Sequence, residues 1–335
     1  MDSLTQLTFG AACAEKILGK EVGNKALAWG AILGTLPDLD VFIPYGGPVA
    51  DVVFHRSFSH SVFVLALLSP LLAWVITLIH PKTKHLYWKW LLLVFVVLEG
   101  AVFLDTLTIY GTQILWPFDN EPKALPILFI IDPLFTVPLL IGCIAALIMR
   151  RTRLTGHRVN TFGLAFSLAY IAWAFAASLY VDHQVKAKLA AQKVEYDQVV
   201  ASPGAFTTLL WRVVGVRNDQ YFESYYSLLD GDEPLYVDTY PRNLELLTGI
   251  ESHTPVARLA YFTRGYFALS QTGDDVVMTD LRMGSEPSYV FNFKVAQVVD
   301  GHITPMTDER IEQPRDMSQL GWVWSRIWQP LPQPN

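Results

Sequence analysis

The sequence has few charged residues and few cysteines, and both shortages narrow the class of protein. Charged residues make up 17% of the chain, whereas typical soluble domains carry about 25%. The two cysteines, Cys13 and Cys143, both lie in apolar stretches, which leaves neither a disulfide framework nor a CxxC metal site. The sequence also lacks a long basic block that would indicate nucleic-acid binding. Its first residues lack the basic lead of a secretory signal, so we expect this segment to stay in the mature protein.

Long apolar runs, by contrast, fill the first 181 residues. A helix needs about 20 apolar residues to cross a bilayer core. Four runs reach this length, and two weaker segments precede them. In chain order the six are Leu4–Leu18, Ala26–Ile43, Ser61–Ile79, Trp90–Tyr110, Ile127–Met149 and Thr161–Val181. We therefore predict an α-helical polytopic membrane bundle of about six helices, the first of which can be re-entrant instead of spanning.

The composition changes after Val181. The pattern of residues 182–200 predicts an amphipathic linker helix, and short β-prone runs separated by turn signals follow. "ARLAYFTRGYFALS", "QTGDD" and "VVMTDLRM" predict a strand, a turn and a strand, and "SYVFNFKVAQVV" predicts another strand. We thus predict three parts: a transmembrane helical domain at 1–181 with the candidate site, a linker helix at 182–200, and a small β-rich (α+β) extracytoplasmic domain at 201–335.

Lysines and arginines set the predicted orientation, because cytoplasmic loops of membrane proteins carry more of them. They are concentrated in three alternate loops, at residues 16–25, 82–89 and 150–158. When all three loops are cytoplasmic, the N-terminus, the two other loops and everything after Val181 face outward. In a bacterial inner membrane that side is the periplasm or the cell exterior.

Acidic and imidazole side chains collect on this predicted outer face. Four of the predicted helices contribute these side chains. The residues are Asp38, Asp40, His55, His60, Asp105 and Asp132. A charged side chain at mid-bilayer depth costs roughly 2.5–3.5 kcal/mol, so Asp105 and Asp132 are expected to point into the bundle. Converging carboxylates repel one another, and a divalent cation relieves that repulsion while neutral imidazoles share its coordination. The pattern therefore predicts a metal or proton site suited to metal-assisted hydrolysis.

Local spacing adds two expectations. Asp38 and Asp40 are two residues apart, but Pro37 interrupts the helix, so a turn can aim both carboxylates at one ion. Ser57 and Ser59 precede the third predicted helix and are available to cap it.

Several stretches of the sequence match a known family. They are "MDSLTQLTFGAACAE", "GAILGTLPDLD", "FHRSFSHS", "LDTLTIYGTQILWPF" and "IDPLFTVP". The chain resembles the LexA-regulated, YdjM-type family of bacterial inner-membrane metal-dependent hydrolases, in its longer branch with a C-terminal soluble domain. This resemblance implies a likeness to zinc-dependent phospholipases C and hence phosphoester hydrolysis. Carried over position by position, it implies metal ligands at Asp38, Asp40, His55, His60 and Asp105.

One position departs from the family pattern. The family usually has a histidine four residues before the aspartate that corresponds to Asp105 in the fourth predicted helix. This chain has Ala101 at that position. Because residues four apart share a helical face, that histidine can join Asp105 at one ion. Its loss removes a ligand or a general base, and three alternatives follow: weaker metal binding, the use of Glu99 instead, or an inactive protein.

We expect an enzyme that holds a divalent metal, Zn²⁺ or alternatively Mn²⁺, at the outer membrane face. Asp105 and His60 are the catalytic candidates, Arg56 is a candidate phosphate contact, and Asp132 supports the ligands or binds a second metal. The expected partners are membrane lipids and a lipid-linked phosphoester substrate, with no nucleic acid, and the sequence identifies no protein partner. The alternative is a non-catalytic membrane protein with a structural polar cluster and an outer domain that binds an envelope component. A transporter is a third reading, which the one-sided placement of the acids disfavours.

Overall fold

The computed structural model describes residues 1–149, 153–312 and 319–329, and contacts divide the chain into two compact units. The helical unit comprises Met1–Phe42 and Arg56–Ala176. The β-rich unit comprises Ile43–His55 and the chain from Ala177 onward. Apolar helices followed by a sheet-rich region confirm the predicted fold class.

Helices in chain order are α1 (Ser3–Val22), α2 (Asn24–Thr35), α3 (Pro48–Phe54), α4 (Val62–Ile79), α5 (Tyr87–Thr106), α6 (Pro133–Ile148), α7 (Arg153–Ala191), α8 (Thr254–Thr263) and α9 (Gln319–Trp328). Each of the six predicted membrane segments is helical over most of its length, as α1, α2, α4, α5, α6 and α7. Within the described ranges, three stretches are long and apolar enough to cross a membrane: Val62–Ile79, Pro81–Thr106 and Thr155–Ala191. The apolar helix α6 is shorter.

Glycines let α1 and α2 pack backbone against backbone as a hairpin. A Cβ atom on Gly10 would lie 2.2 Å from the carbonyl oxygen of Gly30, and one on Gly34 would lie 2.4 Å from that of Gln6. Such contacts are typical of membrane helices that associate through small residues. Gly23, at φ 65°, makes the turn between the two helices. The hairpin therefore brings the end of α2 beside the start of α1.

Helix α5 carries much of the apolar core of the helical unit. Its side chains Leu93, Val94, Val97 and Leu98 are fully buried, and the helix contacts α1, α2 and α4. Because this face is fixed by packing, the polar residue at the C-terminal end of α5, Asp105, is held in the interior with 1% of its surface exposed.

The strands of the β-rich unit are β1 (Gln198–Pro203), β2 (Leu210–Arg217), β3 (Gln220–Ser227), β4 (Asp238–Pro241), β5 (Phe267–Thr272), β6 (Asp275–Asp280), β7 (Gly284–Ser285), β8 (Ser288–Tyr289), β9 (Asn292–Val299) and β10 (His302–Ile311). Among the described residues they form two four-stranded antiparallel sheets, ordered β1-β2-β3-β4 and β10-β9-β6-β5, and a short β7–β8 hairpin. The Leu269 amide donates to the Arg242 carbonyl at 2.8 Å and so links β5 to the residue after β4. The end of α7 packs on this unit through Val181, Val185 and Leu189.

One strand prediction in this region was wrong. The segment Ala257–Thr263 belongs to helix α8, and a strand, β5, begins only at Phe267. The physical reason is an apolar face with helical spacing, since Val256, Leu259 and Phe262 are all buried. Pro255 in the first turn also suits a helix start. The strands predicted over "VVMTDLRM" and "SYVFNFKVAQVV" are observed in large part as β6 and as β8 with β9.

The contacts also group the chain differently from the predicted linear division. Residues 182–191 continue α7, which runs without a break to Ala191, and β1 begins at Gln198. The segment Ile43–His55, which separates two parts of the helical unit along the chain, belongs to the β-rich unit.

A buried ion pair in the β-rich unit yields a stability prediction. The Arg212 guanidinium pairs with Glu223, and both side chains are buried. In Glu223→Ala the Arg212 charge is left buried without its partner, so we expect the free energy of unfolding to fall by about 3–5 kcal/mol. The measurement is urea unfolding of the full chain in detergent.

The matched control is Glu195→Ala, which breaks an exposed pair with Arg217. Exposed pairs contribute about 0–1 kcal/mol, so this variant is expected to unfold close to wild type. Equal losses in the two variants would contradict the burial argument.

Candidate metal centre

Chain segments far apart in the sequence meet at one end of the helical unit. Helix α2 ends at Thr35, and a 3₁₀ turn at Pro37–Phe42 then carries "PDLD". This turn contacts a second 3₁₀ turn, Phe58–His60, and the helix α5. As expected from Pro37, a turn and not a continued helix presents the aspartates.

Three side chains form a compact group that could hold a metal ion. His60 Nε2 lies 3.2 Å from Asp38 Oδ1 and 3.3 Å from Asp105 Oδ2. The ligand atoms of all three residues lie within 4.8 Å of one another. In a tetrahedral site with bonds near 2.0–2.1 Å, neighbouring ligand atoms are about 3.3 Å apart. The two distances from His60 therefore fit a shared divalent ion.

Ser59 indicates which nitrogen of His60 carries a proton. Its hydroxyl lies 2.6 Å from Asp40 Oδ2 and 2.9 Å from His60 Nδ1. An ionised carboxylate can only accept, so Ser59 donates its single proton to Asp40 and accepts from Nδ1–H. Nε2, which faces two carboxylates, then holds either a second proton or a lone pair. The arrangement thus favours a cation at Nε2, supplied by a proton or by a metal.

Asp40 is buried and organises the loop around His60. Its Oδ2 accepts from the Arg56 backbone amide at 2.9 Å as well as from Ser59, and it lies 3.7 Å from His60 Nδ1. Asp40 and Asp38 therefore approach opposite nitrogens of the same ring. The group of ligand atoms includes Asp38 and does not include Asp40.

The two oxygens of Asp105 have different environments. Oδ1 pairs with Arg56 Nη2 at 2.9 Å and also contacts the amino group of Met1. Oδ2 is buried and forms no hydrogen bond within the part of the chain that the structure describes. A buried carboxylate oxygen without a hydrogen bond is costly, and a cation beside His60 would relieve that cost. This observation supports the fit of a metal to Asp38, His60 and Asp105.

Arg56 presents unused donors at the same place. Its backbone has a positive φ of 66°, and its guanidinium lies 5.0 Å from the centre of the Tyr110 ring. Nη2 is engaged by Asp105, whereas Nε and Nη1 are buried and form no hydrogen bond with any described group. Paired guanidinium N–H groups match the geometry of a phosphate or a carboxylate. The site therefore contains donors for an anion beside the candidate ligands.

The structure places two other predicted ligands outside this group. Asp132 caps α6, accepting from the amides of Leu134 and Phe135 at 3.1 and 3.3 Å, and it accepts from the Tyr170 hydroxyl at 3.0 Å. His55 is half-buried and belongs to the β-rich unit. Neither is among the three clustered residues. Their roles as ligands stay predictions.

Ala101 occupies the position on α5 at which the family resemblance implies a histidine. Ala101 is buried, and its carbonyl accepts from Gln6 Nε2 at 3.2 Å. Glu99 lies six residues before Asp105 on α5, which corresponds to about 9 Å along a helix axis. Glu99 is not part of the clustered group. The group of three therefore contains a single imidazole.

Sequence reasoning missed the structural roles of Ser59 and of the Met1 amino group. Ser59 was expected to cap the third predicted helix, but Ser61 caps α4 by accepting from the Val64 amide. Ser59 instead connects Asp40 to His60. Serine before a helix is a capping signal, and nothing local in the sequence distinguishes these two roles.

The fold and the site define a helical membrane protein with a polar centre at one end of its bundle. The YdjM inner membrane protein family matches residues 1–181, and the chain therefore belongs to this family. It is also 30% identical over 141 residues to "Uncharacterized protein YfhP" of Bacillus subtilis (strain 168). That alignment covers 40% of this chain and 42% of the relative, so it spans less than half of either protein. No solved structure gives a significant match.

The His60 environment predicts how the metal-free protein responds to pH. Burial lowers the pKa of His60, but the neighbouring carboxylates of Asp105 and Asp38 raise it more, so the net pKa lies above its ordinary 6.5. A raised pKa means that protonated His60 stabilises the fold fully below pH 6.5, and this contribution is lost as pH rises through the folded pKa. Nitrogen NMR of histidine-labelled, metal-free protein is expected to show His60 protonated on both nitrogens above pH 6.5.

The ring-nitrogen signal of His60 is assigned by its absence from the spectrum of His60→Asn. Titration of His60 at or below pH 6.5 would contradict this account of the site.

Proposed function

We propose that this protein is a membrane-bound, metal-dependent hydrolase acting on a phosphoester or lipid-linked substrate at the outer membrane face. The observation that carries the proposal is the meeting of Asp38, His60 and Asp105 around one point, where Asp105 Oδ2 is buried and accepts no hydrogen bond from any described residue. Membership of an inner-membrane family supports the membrane setting. The outward orientation, with the β-rich unit outside, follows from the distribution of lysine and arginine in the loops.

The proposed ligands are His60 Nε2, Asp38 Oδ1 and Asp105 Oδ2. Zn²⁺ suits this mixed nitrogen and oxygen set, and Mn²⁺ is the alternative. A divalent ion held there would supply Lewis acidity and an acidic bound water. Asp40 and Ser59 hold the His60 ring in the tautomer that leaves Nε2 available, a role that outer partners of metal-bound histidines commonly have.

The proposed substrate contact is Arg56. Its buried Nε and Nη1 groups lack acceptors among the described residues, and the oxygens of a phosphoryl group would supply them. The pairing of Nη2 with Asp105 fixes the guanidinium plane beside the candidate ligands. Arg56 would therefore orient the phosphate and balance its charge next to the reacting bond.

A non-catalytic role is the second candidate, and two observations favour it. Ala101 stands where the family usually has a second imidazole, so fewer nitrogen ligands are present. The carboxylate of Asp105 also pairs with the Arg56 guanidinium, which neutralises it without a metal. In this case the cluster would stabilise the bundle and the β-rich unit would bind an envelope component.

Metal analysis of purified protein tests the proposed ligands. We expect wild type to bind close to one Zn²⁺ or Mn²⁺ per chain and His60→Ala, Asp38→Asn and Asp105→Asn to lose at least about 90% of it, since each removes a ligand. Asp119→Ala, which changes an exposed carboxylate paired with Lys123, is the control expected to keep the metal. Asp132→Asn is expected to keep it too, and a loss there would return Asp132 to the ligand set.

No metal in wild type, or equal binding in wild type and His60→Ala, would contradict the enzyme proposal and favour the structural role.

Restoring the family histidine tests the second candidate. Ala101→His places an imidazole one helical turn before Asp105, on the same face of α5. If the chain is a weakened enzyme, we expect roughly 10-fold tighter metal binding and a gain in phosphodiesterase activity on lipid substrates. Ala101→Leu, which adds bulk without a ligand, is the control. An Ala101→His variant that folds but equals Ala101→Leu in both assays would favour the non-catalytic role.

A further inference from the structure

The residues of the candidate site are joined by a segment that belongs to the β-rich unit. The chain leaves the helical unit after Phe42 and returns to it at Arg56. We call residues 43–55 the strap. Asp40 lies three residues before the strap, and Arg56 follows it directly. The strap is therefore connected to both sides of the site with almost no slack in the chain.

The strap is held by specific contacts within the β-rich unit. Its helix α3 packs against α8 and β10. At the start of α3, Asp308 Oδ2 accepts from the Val49 amide at 2.6 Å. The N-cap residue of α3 is Gly47, which has no side chain to accept this bond. At the other end of α3, the Arg258 guanidinium lies 5.2 Å from the centre of the Phe54 ring.

Asp308 is placed for this contact by an irregularity in β10. The register between β9 and β10 shifts between Pro305 and Glu309, and Asp308 lies within this bulge. Bulges commonly redirect a side chain away from the alternation of the strand. The His253 ring donates to the Met306 carbonyl at 2.9 Å and so holds the bulge against the start of α8.

The strap ends directly before the residue whose amide binds Asp40. His55 caps the C-terminus of α3 through its amide, which donates to the Asp51 carbonyl at 3.1 Å. The next amide, that of Arg56, donates to Asp40 Oδ2, and the Arg56 carbonyl accepts from Gln113 at 3.0 Å. The end of α3 is therefore separated from the Arg56–His60 loop by His55 alone.

We propose that Asp308 of the β-rich unit is a positioning residue for the metal centre, because it anchors the strap from which Arg56 and His60 emerge. The reference to metal rests on the proposed function, whereas the mechanical link between strap and loop does not. Loss of the anchor frees α3, loosens the Arg56 amide from Asp40 and displaces His60 from Asp38 and Asp105.

Hydrogen exchange and metal titration of the full chain in detergent test the proposal. In Asp308→Ala we expect amide exchange to rise at least about 10-fold both in residues 48–54 and in residues 56–61, and Zn²⁺ affinity to fall about 10-fold. Asp308→Asn keeps an acceptor oxygen, so it is expected to restore most of the protection. Glu309→Ala removes an exposed carboxylate from the neighbouring position of the same strand and is expected to behave as wild type.

The proposal is overturned if Asp308→Ala raises exchange in residues 48–54 alone and leaves residues 56–61 at the wild-type rate. It is also overturned if Glu309→Ala has the same effect as Asp308→Ala. Should wild type bind no metal, the exchange result still decides the mechanical link, so that outcome counts only against the proposed function.

Discussion

The structure of the candidate site depends on one contact, His60 Nε2 held between the carboxylates of Asp38 and Asp105. The three residues come from the turn after α2, the turn before α4 and the end of α5. The two carboxylates repel each other, so their approach to one imidazole nitrogen calls for a positive charge at Nε2. A proton or a divalent metal ion satisfies this requirement. The proposed hydrolase requires the metal ion, whereas the non-catalytic role is consistent with a proton.

The rest of the helical unit can be understood as the support for that contact. Glycine contacts bring α1 and α2 together and place the aspartate turn at the end of the hairpin. The apolar face of α5 fixes the depth of Asp105, and Asp40 with Ser59 fixes the ring of His60. Arg56 then adds buried donors next to the same carboxylate. The combination of candidate ligands, an oriented imidazole and an anion contact is what an enzyme acting on phosphoesters would require.

Much of this was predictable from the sequence, and the reasons for the failures are physical. The proximity of Asp38, His60 and Asp105 could be predicted because charged groups in apolar helices must have polar partners. The position of Asp40 outside this group could not be predicted. Residues two apart in a 3₁₀ turn point in different directions, and only the loop that begins at Arg56 determines which of the two aspartates lies beside His60 Nε2. The helix at Ala257–Thr263 was wrongly predicted as a strand because the adjacent aromatic residues Tyr261 and Phe262 favour strands, although the apolar residues recur at helical spacing. The strap could not be foreseen, since its partner Asp308 lies more than 250 residues later in the chain.

X-ray absorption spectroscopy of the Zn²⁺-loaded protein would show whether His60 binds the ion, because it identifies and counts the donor atoms around it. We expect one imidazole nitrogen with oxygen donors, at about 2.0–2.1 Å, and the loss of the imidazole signal in His60→Ala. A site with two or more imidazoles, with sulfur donors, or with an imidazole that persists in His60→Ala would contradict this expectation.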